Sequence, residues 1–254
     1  MAVEVIQSGV LSSVAHGFLG RIGGASTGIY AGLNVGLGSE DARETVIENR
    51  RRAVNAVLPD ARLARVHQFH SPEVVQIGQD IAQVDPPRGD AMVTDQPNVL
   101  LGIVTADCVP VLFADVEAGV IGAAHAGWKG AIGGVLENIL SAMVQLGADV
   151  DHIRCAIGPC ISQKSYEVDE SFFRHFITQA APNERFFTDG KSGHYQFDIE
   201  GYVAARLAAA GMRTVACLGE DTYSQPDRFF SYRRSCHLGE PGYGRQLSLI
   251  GLRA

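Results

Sequence analysis

Apolar residues along the chain follow two rhythms. Continuous or alternating apolar runs predict strands at Val14–Leu19, Val74–Ile77, Val99–Thr105, Val109–Ala114, Val120–His125, Ile153–Ile157, Thr214–Leu218 and Gln246–Leu252. Apolar positions recurring every three or four residues predict helices instead. One spans Asp41–Val57, where Ala42, Val46, Ala53 and Val57 share a face and Glu40 and Asp41 lie near the start. Others span Ala131–Leu146, stopping at Gly147, then Asp169–Gln179, and Ile199–Ala210 ahead of Gly211. Strands and helices mix without a strict alternation. That favours an α+β fold of mixed sheets flanked by helices over a doubly wound parallel sheet. The densest breaker stretches, Gly20–Gly32 and Pro86–Asp90, have the length of loops, and no repeat or linker intervenes. Residues 1–254 therefore read as one domain.

Composition narrows the function. Charged residues are only 19% of the chain, too few to suggest disorder, and the net charge of −7 speaks against nucleic acid or an anionic membrane as a partner. The N-terminal run has no basic segment followed by an apolar core, and no stretch reaches the roughly 18 apolar residues of a membrane span. Five cysteines, an odd number, argue against a disulfide framework. The expected setting is the cytoplasm. Neither GxGxxG after a strand nor GxxxxGK[ST] occurs, so no dinucleotide or P-loop fold is signalled.

Reactive side chains concentrate in Arg65–Glu73, Thr105–Pro110 and Ala123–Gly130, each beside a predicted strand. Between Cys108 and His125 the pattern is strand, polar turn, strand. A turn centred on Val116–Glu117 places the two residues directly across a hairpin, with Cβ atoms roughly 4.5–5.5 Å apart. One metal could then take both a sulfur and a ring nitrogen. Taken singly, Cys108 would pass as core and His125 as a structural histidine. A third ligand would come from His67 or His70, which are three apart and face opposite ways in a strand; spacing does not choose between them. The glycine-rich turn Ala126–Gly130 before a helix is a natural anion site, and Lys129 adds charge there. The loop Gly20–Asn34 offers Arg21 and Asn34 to a ligand, although by itself it reads as a plain surface loop, and Phe230–Ser235 offers Arg233 or Arg234 to a pocket but equally suits a solvated charged strand. Cys155, Cys160, Cys217 and Cys236 read as structural.

Together His16-Gly-Phe, Gly23-Gly, Leu33-Asn, Gln68-Phe-His-Ser71, Thr105-Ala-Asp-Cys-Val-Pro110, His125-Ala-Gly-Trp-Lys-Gly130, Gly158-Pro-Cys-Ile161 and Phe230-Ser-Tyr-Arg-Arg234 resemble the YfiH-type family. It is also called the laccase-domain or polyphenol oxidase family, and a purine nucleoside phosphorylase family. The resemblance spans nearly the whole chain. It implies an α+β fold with one metal held by His, Cys and His. The family's usual Gln-Val-His-Gly motif selects His70 over His67, so the implied ligands and catalytic residues are His70, Cys108 and His125. Phe69 and Ser71 depart from that motif beside the ligand.

Three protein ligands with an open fourth position make a catalytic type of zinc site. The resemblance implies phosphorolysis of adenosine, inosine, guanosine or methylthioadenosine, and deamination of adenosine. Arg21, Lys129 and Arg233 are the residues expected to support phosphate, with Asn34 as a further polar contact. Copper suits the same donors, so copper-dependent oxidation of phenols is the rival reading. Against it, eight histidines without one His-x-His pair cannot build a multicopper centre. Cysteine hydrolysis, with Cys108 as nucleophile and His125 as base, is another. A purely structural zinc would want four ligands rather than three.

Overall fold

The computed structural model describes residues 1–78 and 85–253; positions 79–84 and 254 of the expected 1–254 domain lie outside the described residues. In chain order the elements begin with β1 (Val5–Ile6), β2 (Ala15–Leu19), α1 (Arg43–Val57), β3 (Arg62–Ala64), β4 (Val74–Gln76) and β5 (Ala91–Thr94). The middle of the chain forms β6 (Val99–Thr105), β7 (Val109–Asp115), β8 (Val120–Ala126), α2 (Trp128–Gly133), α3 (Val135–Gln145), β9 (Arg154–Ile157) and β10 (Glu167–Asp169). There follow α4 (Glu170–Gln179), β11 (Phe187–Asp189), β12 (His194–Phe197), α5 (Ile199–Ala209), β13 (Thr214–Cys217), α6 (Tyr232–Leu238) and β14 (Gln246–Gly251).

Among the described residues the strands form three sheets, in the orders β1-β2-β14-β6-β3, β13-β9-β7-β8-β5-β4 and β10-β12-β11. Both large sheets mix parallel and antiparallel pairs, as the α+β expectation requires. Side chains alternate across a strand, and that alternation assigns the layers. Leu112, Ala114, Ile121 and Ala123 pack with Phe18, Leu101, Ile103 and Ile250, joining the two large sheets face to face. Val111, Phe113, Val120 and Ala124 turn the other way, onto Leu136, Ile139, Met143 and Val203 of α3 and α5. On the far side, Ala53 and Val54 of α1 cover Leu19, Leu100, Leu247 and Leu249. The order is helix, sheet, sheet, helix. It explains why β7 and β8 are buried at every position and read as unbroken apolar runs.

The eight expected strands and four expected helices all form, with shifted ends and one division. The helix expected over Ala131–Leu146 starts earlier and breaks at Gly134, whose φ of 100° is left-handed and ends α2 before α3 begins. Phe230–Ser235, expected to be a charged strand if not a pocket wall, runs instead into α6, because Ser231 caps the helix by accepting the Arg234 N–H. The short strands β1, β3, β5, β10, β11 and β12 are too brief for periodicity to show. No helix among the described residues is long and apolar enough to cross a membrane.

The hairpin register differs from the expectation in an instructive way. Pro110, not Cys108, stands across from His125, and the ladder closes at Asp115↔Val120. Asp115 is the cause. Its Oδ1 accepts the N–H groups of Glu117 and Ala118, each at 3.1 Å, and its Oδ2 accepts that of Asp149 at 2.9 Å. Gly119, with a φ of 64°, completes the longer turn. The slip is two residues, so Cys108 and His125 stay on one face as diagonal neighbours. Asp115→Ala removes a buried carboxylate and three hydrogen bonds at once. It should lower unfolding stability by about 2–4 kcal/mol, read from the urea midpoint.

Candidate metal centre

β8 brings His125 to the end of the inter-sheet layer, and the bend before β7 presents Cys108 beside it. His70 arrives from the loop between β3 and β4 in a left-handed conformation, with φ at 63°. One ligand atom from each of these three side chains lies within 4.8 Å of the others. The His70 and His125 rings meet edge-on with centroids 4.8 Å apart. On a tetrahedral zinc, such donors would lie about 3.3–3.6 Å apart. Side-chain shifts of about an ångström therefore make the residues fit a metal, and the donor set of one sulfur and two imidazoles suits zinc or copper. His67 is exposed, pairs its backbone with Arg88, and does not line the cavity.

One carboxylate organises the centre. Asp90, wholly buried, accepts the Phe69, His70 and Ser71 N–H groups at 3.1, 3.0 and 2.7 Å, and the Ser71 hydroxyl at 2.8 Å. Its Oδ1 also lies 2.7 Å from His125 Nδ1, which directs His125 Nε2 away from Asp90. Burial penalises its charge, but these partners, His125 first, hold its carboxyl well below the usual carboxylate range. Burial likewise disfavours the charged form of His125, yet Cys108 and Asp90 outweigh it, and the pKa is pushed up to about 9. For His70, burial and then the His125 charge lower the pKa. Asp90 was not among the expected site residues. Its signal in the sequence is slight: an acid between a breaker stretch and the buried strand β5.

Gly127 supplies the room. A Cβ there would lie 2.3 Å from His70 Nδ1 and 3.2 Å from Cys108 Sγ. The helix after it, α2, is only six residues long.

The centre opens on a cavity of about 1270 Å³ walled by Trp128, Tyr166, Phe172, Arg233, Tyr243 and Arg245 among others. Of the expected anion-binding residues, Arg233 lines it, with its guanidinium 5.2 Å over the Tyr166 ring and Nη1 donating to Glu167 O at 2.7 Å. Arg21 does not. Its Nε and Nη2 donate to Ala31 O and its Nη1 to Pro226 O, because the loop at 20–34 closes on itself through Asn49 rather than over a ligand. Lys129 is exposed outside the lining, with Nζ 5.4 Å from the Trp128 ring. Asn34 is fully buried and touches no cavity surface; its Oδ1 instead accepts the backbone N–H of Arg245 at 3.0 Å. Arg245 does line the cavity, and nothing in the sequence singled it out. All five cysteines are free, and Cys236, expected to be structural, lines the cavity as well.

Residues 15–253 match the model of the family described as multi-copper polyphenol oxidoreductase laccase. The chain belongs to the YfiH-type, laccase-domain family. A protein of Deinococcus radiodurans named purine nucleoside phosphorylase is 41% identical over 241 residues, covering 94% of this chain and 90% of its own. One of Rickettsia conorii with the same name is 36% identical over 211 residues, covering 83% and 86%. Among solved structures, a Neisseria meningitidis protein of the DUF152 family model superposes with a TM-score of 0.89 at 32% identity over the full length of both chains. Bacillus licheniformis YfiH superposes with a TM-score of 0.88 at 28% identity, covering 99% of this chain and 97% of its own.

Two variants test this geometry. Asp90→Asn removes the charge behind both histidines and should weaken zinc binding about 10–100-fold, measured by chelator competition. Gly127→Ala should weaken zinc comparably while the circular dichroism spectrum stays unchanged, since the atoms nearest its methyl belong to the His70 and Cys108 side chains.

Proposed function

We propose that this family member is a zinc-dependent purine nucleoside phosphorylase. It would cleave adenosine, inosine, guanosine or methylthioadenosine with phosphate, deaminate adenosine, and act in the cytoplasm. The observation that carries the reading is a three-donor centre opening onto one large cavity that also holds the Arg233 guanidinium, which bonds Glu167 O but pairs with no carboxylate among the described residues, and aromatic walls. The names borne by the relatives support it.

His70, Cys108 and His125 would hold the metal, which supplies Lewis acidity and lowers the pKa of water in its open position. The residues do the rest. Asp90 fixes the tautomer and direction of His125 and ties down the backbone that carries His70. Trp128, Tyr166 and Phe172 offer flat apolar faces for a purine; Trp128 and Phe172 themselves pack at 4.9 Å. Arg233 brings positive charge to the negative charge carried by phosphate. A base and a phosphate can occupy the cavity together, which phosphorolysis demands and hydrolysis does not.

Zinc-loaded protein should convert adenosine and inosine to free base and ribose-1-phosphate only when phosphate is present, and equally well without oxygen. Cys108→Ala should lose this activity by at least about 100-fold without restoration by copper, through loss of a charged ligand rather than of the fold. The copper oxidase reading gives the opposite result: turnover that ignores phosphate and stops when oxygen is removed.

A further inference from the structure

Residues 106–108 carry the chain from β6 in one large sheet to β7 in the other, and Cys108 is the last of the three. Sheets packed face to face lie about 10 Å apart, so a crossover this short needs a sharp bend. Asp107 makes the bend with a φ of 82°, in the left-handed region that residues other than glycine seldom enter. Four such residues do so among the described ones. Asp60 and Asn98 stand in exposed turns, whereas His70 and Asp107 stand at the centre. A backbone conformation of this kind persists only where its surroundings hold it. For His70 the holder is Asp90; Asp107 is held by other means.

The Asp107 carbonyl accepts the Ile161 N–H at 2.9 Å, which fixes the peptide leading into Cys108. The Pro110 carbonyl accepts the Gly158 N–H at 2.9 Å, so residues 158–161 grip the chain on both sides of the cysteine. The Asp107 carboxylate reaches elsewhere. Its Oδ1 accepts the Thr222 hydroxyl at 2.6 Å, and its Oδ2 accepts the Ser231 hydroxyl at 3.0 Å and the Arg233 N–H at 2.6 Å. Ser231 in turn accepts the Arg234 N–H, so the first turn of α6 is held by the residue next to the sulfur donor. Thr222 closes a ring of contacts, because its own N–H bonds Cys160 O at 2.9 Å. Thr222 is fully buried and does not line the cavity. Three distant segments thus meet on one side chain, and that residue is joined by a peptide bond to Cys108. Groups that brace a metal ligand from behind set its direction.

We propose that Asp107 is a positioning residue for Cys108: its carboxylate locks the crossover between the sheets to α6, so the direction of the thiol donor and the placement of the cavity wall are set together. This role rests on the metal centre of the proposed function and on no particular substrate. Through Asp107 the hydroxyl of Thr222, which belongs neither to the donor set nor to the cavity, acts on the centre.

Cobalt(II) is the probe, since it takes the same donors and a thiolate ligand gives it a charge-transfer band in the near ultraviolet. It is titrated into metal-free wild type and into the Asp107→Ala, Asp107→Asn, Thr222→Val and Asp115→Ala variants. The wild type should show the band. Asp107→Ala leaves three donors without their acceptor and puts alanine in the left-handed region; it should cut the band about twofold or more and weaken cobalt about tenfold or more. Asparagine tolerates a positive φ and can serve the same partners, its amide donating to Thr222 Oγ1. Asp107→Asn should therefore restore affinity to within about threefold. Thr222→Val should change the band in the same direction as Asp107→Ala, and it decides the matter if Asp107→Ala does not fold. Asp115→Ala loses stability at the far end of β7 without touching the crossover, so its band should match the wild type. A wild-type band in Asp107→Ala or in Thr222→Val, or an equal change in Asp115→Ala, would overturn the positioning role alone. Cobalt bound by the wild type with no thiolate band would sink the metal centre, and this role with it.

Discussion

Asp90 puts one buried negative charge against the His125 ring and the His70 backbone, and much of the site depends on it. A carboxylate this deep is tolerated only when its lone pairs are filled. Here they are filled by the backbone of residues 69–71, the Ser71 hydroxyl and the ring of His125. The same contacts hold His70 in a left-handed conformation that a histidine seldom adopts in isolation. Binding a cation next to this group also relieves the cost of burying it. Ser71, a departure from the family's usual glycine, contributes a hydroxyl to that carboxylate and so strengthens the arrangement.

The layered fold explains where such a site can exist. Between the two sheets packed face to face the interior is largely apolar, His16 and Ser248 being buried on the same face as Phe18 and Ile250, and the polar groups of the site gather at the rim where strands end. Thr105, Cys108, His125 and Gln246 all lie at one rim. α6 and the loops around it then close the rim into a cavity rather than an open edge. Arg233 comes from that helix and Arg245 from the approach to β14, so the wall draws on segments far apart in the chain.

Much of this was legible in the sequence, for identifiable reasons. Long buried strands betray themselves as apolar runs, and Cys108 and His125, though not directly opposed as expected, still come to one face because a hairpin preserves faces when its register slips by two. The slip itself was hidden, since it depends on which backbone groups Asp115 captures. Spacing left His67 and His70 equal; the choice required the family motif, and in the structure a bend presents His70 to Cys108 and His125 while His67 stays off the cavity lining. Arg21 and Asn34 looked like ligand contacts because polar residues in a glycine-rich loop do. They satisfy that loop's own carbonyls and anchor Arg245 instead. Asp90 and Arg245 escaped notice because their roles arise from tertiary neighbours, which no local pattern encodes.

β14 occupies the middle of its sheet, between β2 and β6. Its position has a consequence for synthesis. The ribosome delivers β2 and β6 long before β14, so these two must wait, unpaired with each other, for a strand made near the end of translation. The Cys108–His125 hairpin, by contrast, is local and can zip as soon as it emerges. The nascent chain therefore carries a complete thiol–imidazole pair before the wall that shelters it has been made, and that interval is when the thiol is most open both to metal capture and to oxidation.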